Sequence, residues 1–150
     1  MRLITSLFLL IVAGYLGVVL WLYLVQRQIM YQPSNSIGSP DDSGVPQMSV
    51  VILNDNTKNK TISWYKPAER QKETIVYFQG NAGNISDRAF KAKIFLDHGI
   101  GFMLVGYRGF GGNPGTPDEH GLYEDALSAI KFLFDNGVTS DKLFVYGESL

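Results

Sequence analysis

The chain has no cysteine among its 150 residues. A disulfide framework, a thiolate zinc site and a cysteine nucleophile are therefore excluded, and either side of a membrane stays open to it. It also lacks a basic stripe. Lys and Arg number 13 against 14 Asp and Glu, they are scattered, and the formal net charge is −1. Without clustered cations nothing offers the electrostatic footprint that a phosphate backbone requires, which excludes nucleic acid as a partner. Histidine occurs only twice, as His98 and His120, and no repeat or low-complexity tract is present. The loop Gly109 to Gly115 looks like a dinucleotide loop, but Pro114 occupies the third glycine position of G-x-G-x-x-G. Asp118, Glu119, Glu124 and Asp125 are carboxylates of the kind a helix N-terminus favours without any ion. Neither a metal nor a cofactor is expected.

Apolar residues make up 45% of the chain, and much of that share falls in one block. From Leu3 to Val25 there is no charge, with Arg2 and Arg27 closing the two ends and Trp21 and Tyr23 near the second of them. A helix needs roughly 20 apolar residues to cross about 30 Å of hydrocarbon, and amphipathic rings favour its interfaces. Residues 1–27 therefore read as a transmembrane anchor in the lipid bilayer. The run is longer than the apolar region of a cleaved signal and ends without an A-x-A site; a buried core helix would not be apolar on every face. Arg2 and the α-amine, set against Arg27, favour a cytoplasmic N-terminus and a single pass, with the rest of the chain on the non-cytoplasmic side.

Residues 28–47 carry Pro33, Gly38, Pro40, Gly44 and Pro46 among Ser and Asp, the composition of an extended linker. From Met48 the text changes. Ser49–Leu53 and Thr61–Tyr65 flank a polar stretch and predict a hairpin. Thr74–Phe78, Phe102–Gly106 and Leu143–Tyr146 are short apolar runs of the kind that form parallel strands. Between them, Asn84–His98 and Asp118–Asn136 have helical apolar spacing, the first with Ser86 as N-cap and Gly99 as stop, the second closed by Gly137. Strands alternating with helices predict an α/β fold, in which ligand-handling loops lie beyond the carboxyl ends of the strands.

Two loops and one strand end fall there. The last apolar run leads into Gly147-Glu148-Ser149-Leu150, four residues of the G-x-S-x-G nucleophile elbow, with Glu148 as its variable position. Upstream, Tyr77-Phe78-Gln79-Gly80-Asn81-Ala82-Gly83-Asn84 ends one strand and opens a helix, where this kind of fold supplies a backbone N–H to a developing oxyanion. Asn59-Lys60-Thr61 and Asn84-Ile85-Ser86 match the glycosylation pattern, which is frequent by chance.

With these motifs stand Gly106-Tyr107-Arg108-Gly109-Phe110-Gly111, Pro114-Gly115, Glu119-His120-Gly121-Leu122-Tyr123 and Asp125-Ala126. In that order, from about Met48 to Leu150, the sequence resembles the Bem46-like α/β-hydrolase-domain family of membrane-anchored serine hydrolases, in its N-terminal half. The resemblance implies a partial α/β-hydrolase fold over residues 48–150, an antiparallel hairpin leading into a parallel βαβαβ sheet, preceded by one transmembrane helix and truncated at the nucleophile elbow. It implies Ser149 as nucleophile, the backbone of Asn81, Ala82 and Leu150 as oxyanion hole, and Gln79, Gly80 and Arg108 as loop support. Gln79 departs from the family, which usually has His there; an amide can replace part of an imidazole's hydrogen bonding.

The implied activity is hydrolysis of esters, thioesters or amides, with a lipid or acyl ester as the substrate partner. In this fold the triad order is Ser, then Asp or Glu, then His. Both partners of Ser149 would follow it, so these 150 residues are expected to be inactive alone. His98 reads instead as a cation near a helix C-terminus and His120 as a solvated residue opening a helix. Two other readings remain: a non-catalytic anchored remnant whose last strand has a bare edge and an uncovered face, or a membrane-tethered binding module.

Overall fold

The computed structural model describes residues 2–55, 59–70 and 72–149. It forms two compact units, Met1–Tyr31 and Gln32–Leu150.

The first unit is helix α1, Arg2–Met30, with no buried side chain. At 1.5 Å per residue it runs about 43 Å, which exceeds the hydrocarbon thickness of a bilayer. Its mean hydropathy reaches 2.5. The helix is thus long and apolar enough to cross a membrane, and it continues past the expected boundary at Arg27.

In the second unit the strands are β1 (Gln32–Pro33), β2 (Ser49–Asn54), β3 (Lys60–Lys66), β4 (Thr74–Phe78), β5 (Ala82–Gly83), β6 (Gly101–Val105) and β7 (Leu143–Gly147), with helices α2 (Ala89–Leu96) and α3 (Glu119–Asp135). β1 and β5 form a separate parallel pair, and the other five make one sheet in the order β2-β3-β6-β4-β7. The predicted hairpin is β2 against β3, with Ser49 opposite Tyr65. β3 joins β6 antiparallel. β4 then lies parallel between β6 and β7, with Phe78 opposite Val105 on one side and Gly147 on the other. This is the expected mixed sheet of an α/β fold. Its consequence for the site is geometric: the loops after β4, β6 and β7 leave the same end of the sheet.

The sheet is covered on both faces where it is most apolar. Phe102 and Leu104 of β6 join Trp64, Tyr77, Ala89 and Ala92 in the main core cluster, and Phe95 of α2 stacks on Phe102 at 5.4 Å. By strand alternation Met103 and Val105 face the other way, and they too are buried. On the α3 side Phe132 meets Tyr65 edge-on at 5.6 Å, and Ala129 and Leu133 are buried. Each large side chain so enclosed contributes roughly 1.5–3 kcal/mol. β7 is different: Phe144 and Val145 are exposed.

Two local expectations are corrected. The first concerns Ser86. The segment after β5 begins with a 3-10 turn, Ile85–Arg88, capped by Asn84, whose side chain accepts from the Ser86 N–H while Asp87 reaches back to the Asn84 N–H. An amide that can accept at one end and donate at the other outcompetes the Ser86 hydroxyl, which itself donates to Asn84 Oδ1.

The second correction is to the linker. Residues 32–47 are packed onto the sheet's loops: β1 pairs with β5, Pro40 and Val45 close a turn through the Val45 N–H, and Val45 is fully buried in the core. Prolines and glycines shaped this stretch without leaving it unbound. Elsewhere the punctuation agrees with the sequence: Asp118 caps α3 through the Gly121 N–H at 2.7 Å, and Gly99 and Gly137 adopt the left-handed conformation after their helices.

Candidate active site

Ser149 has φ +58, the one non-glycine residue with positive φ among the described residues. That region is unfavourable for a side chain bearing Cβ, and such a residue persists only where its surroundings hold it. Here the holding is visible. β7 runs beside β4 up to Gly147, and the next N–H, of Glu148, still donates to the Phe78 carbonyl at 3.0 Å. The pairing therefore continues to the residue before the serine, and the chain turns sharply only there.

The loop after β4 lies against this turn. A Cβ on Gly80 would stand 3.0 Å from the Glu148 carbonyl oxygen and 3.4 Å from Ser149 Cβ. Any side chain at this position would have to push the Glu148 carbonyl back by a few tenths of an ångström. Gly83, at φ +76, turns the loop back, and a Cβ there would meet the Asp87 carboxylate. Asn81 and Ala82 lie between these glycines, and their carbonyls are engaged by the Gln32 N–H at 2.8 Å and by Arg88 Nη2 at 3.5 Å. Leu150 lies outside the described residues.

Gln79 is buried, 1% exposed, and neither polar atom of its amide has a hydrogen-bond partner. It does not orient the loop through side-chain hydrogen bonds, as its position in the motif had suggested. It faces a narrow gap lined by Asn84, Gly106, Phe110 and Asn113.

Arg108 sits in a buried ion cluster. Its guanidinium meets Asp125 at 2.8 Å and Asp55 at 2.6 Å, both carboxylates being 1% exposed, and its own N–H donates to Asp125 at 2.8 Å. The Asp125 hydrogen bond and charge raise the guanidinium's already high pKa. Arg108 thus fastens the loop after β6 to α3 and to the hairpin. Of the carboxylates around the start of α3, Asp125 is taken by Arg108, Asp118 by its cap and Glu119 by the Tyr123 hydroxyl. His98 sits at the end of α2, its Nδ1 2.9 Å from the Ile94 carbonyl. The Asn84 glycosylation match is buried and fully hydrogen-bonded.

Glu148 does more than fill a variable position. Its carboxylate takes Lys91 Nζ at 2.6 Å, Arg88 Nε at 3.2 Å and the Tyr77 hydroxyl. Lys91 also lies over the rings of Tyr77 and Tyr146, 5.5 and 5.6 Å from their centres. The Lys91 and Tyr77 hydrogen bonds hold the Glu148 carboxyl down at about 2. Burial, helped by the adjacent carboxylate, pushes the Tyr77 hydroxyl up to about 12. Elbow and α2 are thereby joined by charge. A signal for this was present in the sequence only as an acid flanking the serine and two cations one turn apart, Arg88 and Lys91.

No protein-family model matches the chain. Relatives do. Over 137 residues it is 32% identical to the uncharacterised protein Rv2307c of Mycobacterium tuberculosis, covering 89% of this chain and 49% of that protein. It is 29% identical over 140 residues to protein bem46 of Schizosaccharomyces pombe, covering 87% and 47%. It is 31% identical over 137 residues to the uncharacterised membrane protein YNL320W of Saccharomyces cerevisiae, covering 86% and 48%. The chain thus spans about half the length of these relatives. Among solved structures, an esterase of Pyrococcus furiosus superposes with a TM-score of 0.61 at 19% identity over 79% of this chain and 46% of its own. An α/β-hydrolase of Vibrio vulnificus gives 0.63 at 21% over 74% and 41%. The structural likenesses establish the fold. Together with the sequence similarity to bem46 they bear out the resemblance to Bem46-like α/β-hydrolase-domain proteins over about half of those proteins' length.

Proposed function

We propose that this chain carries the nucleophile half of a membrane-anchored serine hydrolase acting on acyl esters, thioesters or amides. The observation that carries the reading is the strained backbone of Ser149 at the end of β7, with the glycine loop after β4 packed on it. A serine held in this way exposes its Oγ, and the adjacent loop and the residue after the serine are where this fold provides backbone N–H donors to an oxyanion. Asn81, Ala82 and Leu150 take that role. Ser149 Oγ bonds to the acyl carbon and passes its proton through a histidine to the departing alcohol, thiol or amine. Water then adds to the acyl-enzyme, releasing the acid and restoring the serine proton. The acid and base of the triad come from the further length that the relatives possess, in the order Ser, Asp or Glu, His. Helix α1 anchors the protein in a bilayer, with the hydrolase portion on the non-cytoplasmic side.

The test is labelling by a fluorophosphonate probe of the protein extended through the length of its relatives. Covalent label on the wild type and none on Ser149→Ala supports the proposal. Equal labelling of both, or none of either, sinks it in favour of an anchored module without chemistry.

A further inference from the structure

The segment that follows α1 in sequence is bonded into both glycine-rich loops. The Gln32 N–H donates to the Asn81 carbonyl at 2.8 Å and the Ser34 N–H to the Gly83 carbonyl at 3.1 Å, one on each side of Ala82. Ser34 then uses its own carbonyl to accept from the Gly111 N–H at 2.8 Å, in the loop after β6. Asn84 Nδ2 donates both to the Ser34 hydroxyl and, at 2.8 Å, to the Ser36 carbonyl. Ile37 fills the space beside Gly111: a Cβ on that glycine would lie 3.3 Å from Ile37 Cβ and 3.4 Å from Asn84 Cβ. One short strap thus holds the loop after β4 and ties it to its neighbour.

We infer that the strap Gln32–Ser36 is a positioning element of the active site: it fixes the direction of the Asn81 and Ala82 backbone that receives the oxyanion. This rests on the serine-hydrolase reading above. The physical reason is that Asn81 and Ala82 lie between Gly80 and Gly83, so this stretch has little stiffness of its own. The Asn81–Ala82 peptide plane, which carries the Ala82 N–H, is set instead by the Gln32 hydrogen bond on the Asn81 carbonyl, and the far end of the segment is held by the Ser34 hydrogen bond on the Gly83 carbonyl. Oxyanion donors are effective only when held in place before charge develops, and loss of one costs about 10²–10³ in kcat. A catalytic unit that begins at the expected domain start, Met48, would therefore lack part of its own site, although the strap carries no reactive group.

The experiment replaces Gln32 and Ser34 with proline. Pro33 between them makes a run of three that keeps the extended backbone and deletes both donors. In this chain, reconstituted with α1 in nanodiscs, amide exchange at Gly111 reads strap docking, and exchange at Val76 and Leu104 reads the sheet. We expect Gly111 to exchange at least tenfold faster, with the sheet amides unchanged. Asn84→Asp is the milder second variant: it keeps the cap acceptor and removes the donors to Ser34 and Ser36, and it should accelerate Gly111 several-fold. In the longer protein, hydrolysis of p-nitrophenyl acetate should lose at least tenfold in kcat with KM within twofold, while the surface change Lys93→Ala alters neither. Unchanged Gly111 exchange in both variants, or an unchanged kcat in an active protein, overturns the inference alone. A longer protein with its native strap that neither turns over ester nor takes label removes the hydrolase reading and the inference with it.

Discussion

Lys91 Nζ stands 2.6 Å from Oε2 of Glu148, the residue immediately before Ser149. The elbow is therefore braced by a charge on α2 as well as by the sheet. The Glu148 carboxyl titrates at about 2 instead of its ordinary 4.5. A folded-state value below the unfolded one means that the contribution is complete above about pH 4.5 and is lost as the pH falls towards about 2. The urea midpoint should fall more steeply across that window in the wild type than in Glu148→Gln. Parallel slopes would show that the brace contributes nothing.

Gly80 and Ser149 are neighbours across two backbones. Gly80→Val should separate the loop from the elbow and destabilise by about 1–3 kcal/mol, the usual cost of overpacking. In the longer protein it should also remove fluorophosphonate labelling. Full labelling with unchanged stability would mean that the loop can retreat freely.

Removing Arg108 leaves Asp55 and Asp125 buried without their shared cation, each 1% exposed. Arg108→Ala should cost about 3–5 kcal/mol in chemical denaturation. Arg108→Lys should recover only part of this, because an ammonium cannot span the forked contacts to Asp125. A lysine variant as stable as the wild type would refute the geometric part of the argument.

Gln79 has the opposite sign. Its buried amide forms no hydrogen bond, and replacing an unpartnered polar group by an apolar one of similar shape removes a desolvation cost of about 1–3 kcal/mol. Gln79→Leu should leave stability unchanged or raise it by about 1 kcal/mol. A clear loss would indicate that the amide is satisfied in solution.

The five strands of the main sheet and both helices of the second unit were legible because their signals are local. Val76, Met103 and Leu104 sit in apolar runs flanked by turn residues, and Asp118, Gly99 and Gly137 mark helix ends by their own chemistry. The glycine loop and the G-x-S run likewise announce a strand end. What could not be read is set by partners distant in the chain. Gln32 and Ser34 act through backbone groups, which every residue possesses, so composition reported only a linker. Arg108 matched a motif, yet its partners Asp55 and Asp125 come from a hairpin and a helix and make it a fastening. Ser86 read as the cap, and only the loop's geometry shows that Asn84 takes that place.

The same distance shapes how the site forms. Tyr77 and Glu148, which meet beside the serine, are 71 residues apart in the chain, and β4 takes β7 as a neighbour only across that separation. Closing so long a loop is slow compared with forming the β2–β3 hairpin. The strained turn at Ser149 thus belongs to the late part of assembly, and during synthesis β4 waits with one side unpaired until β7 has emerged.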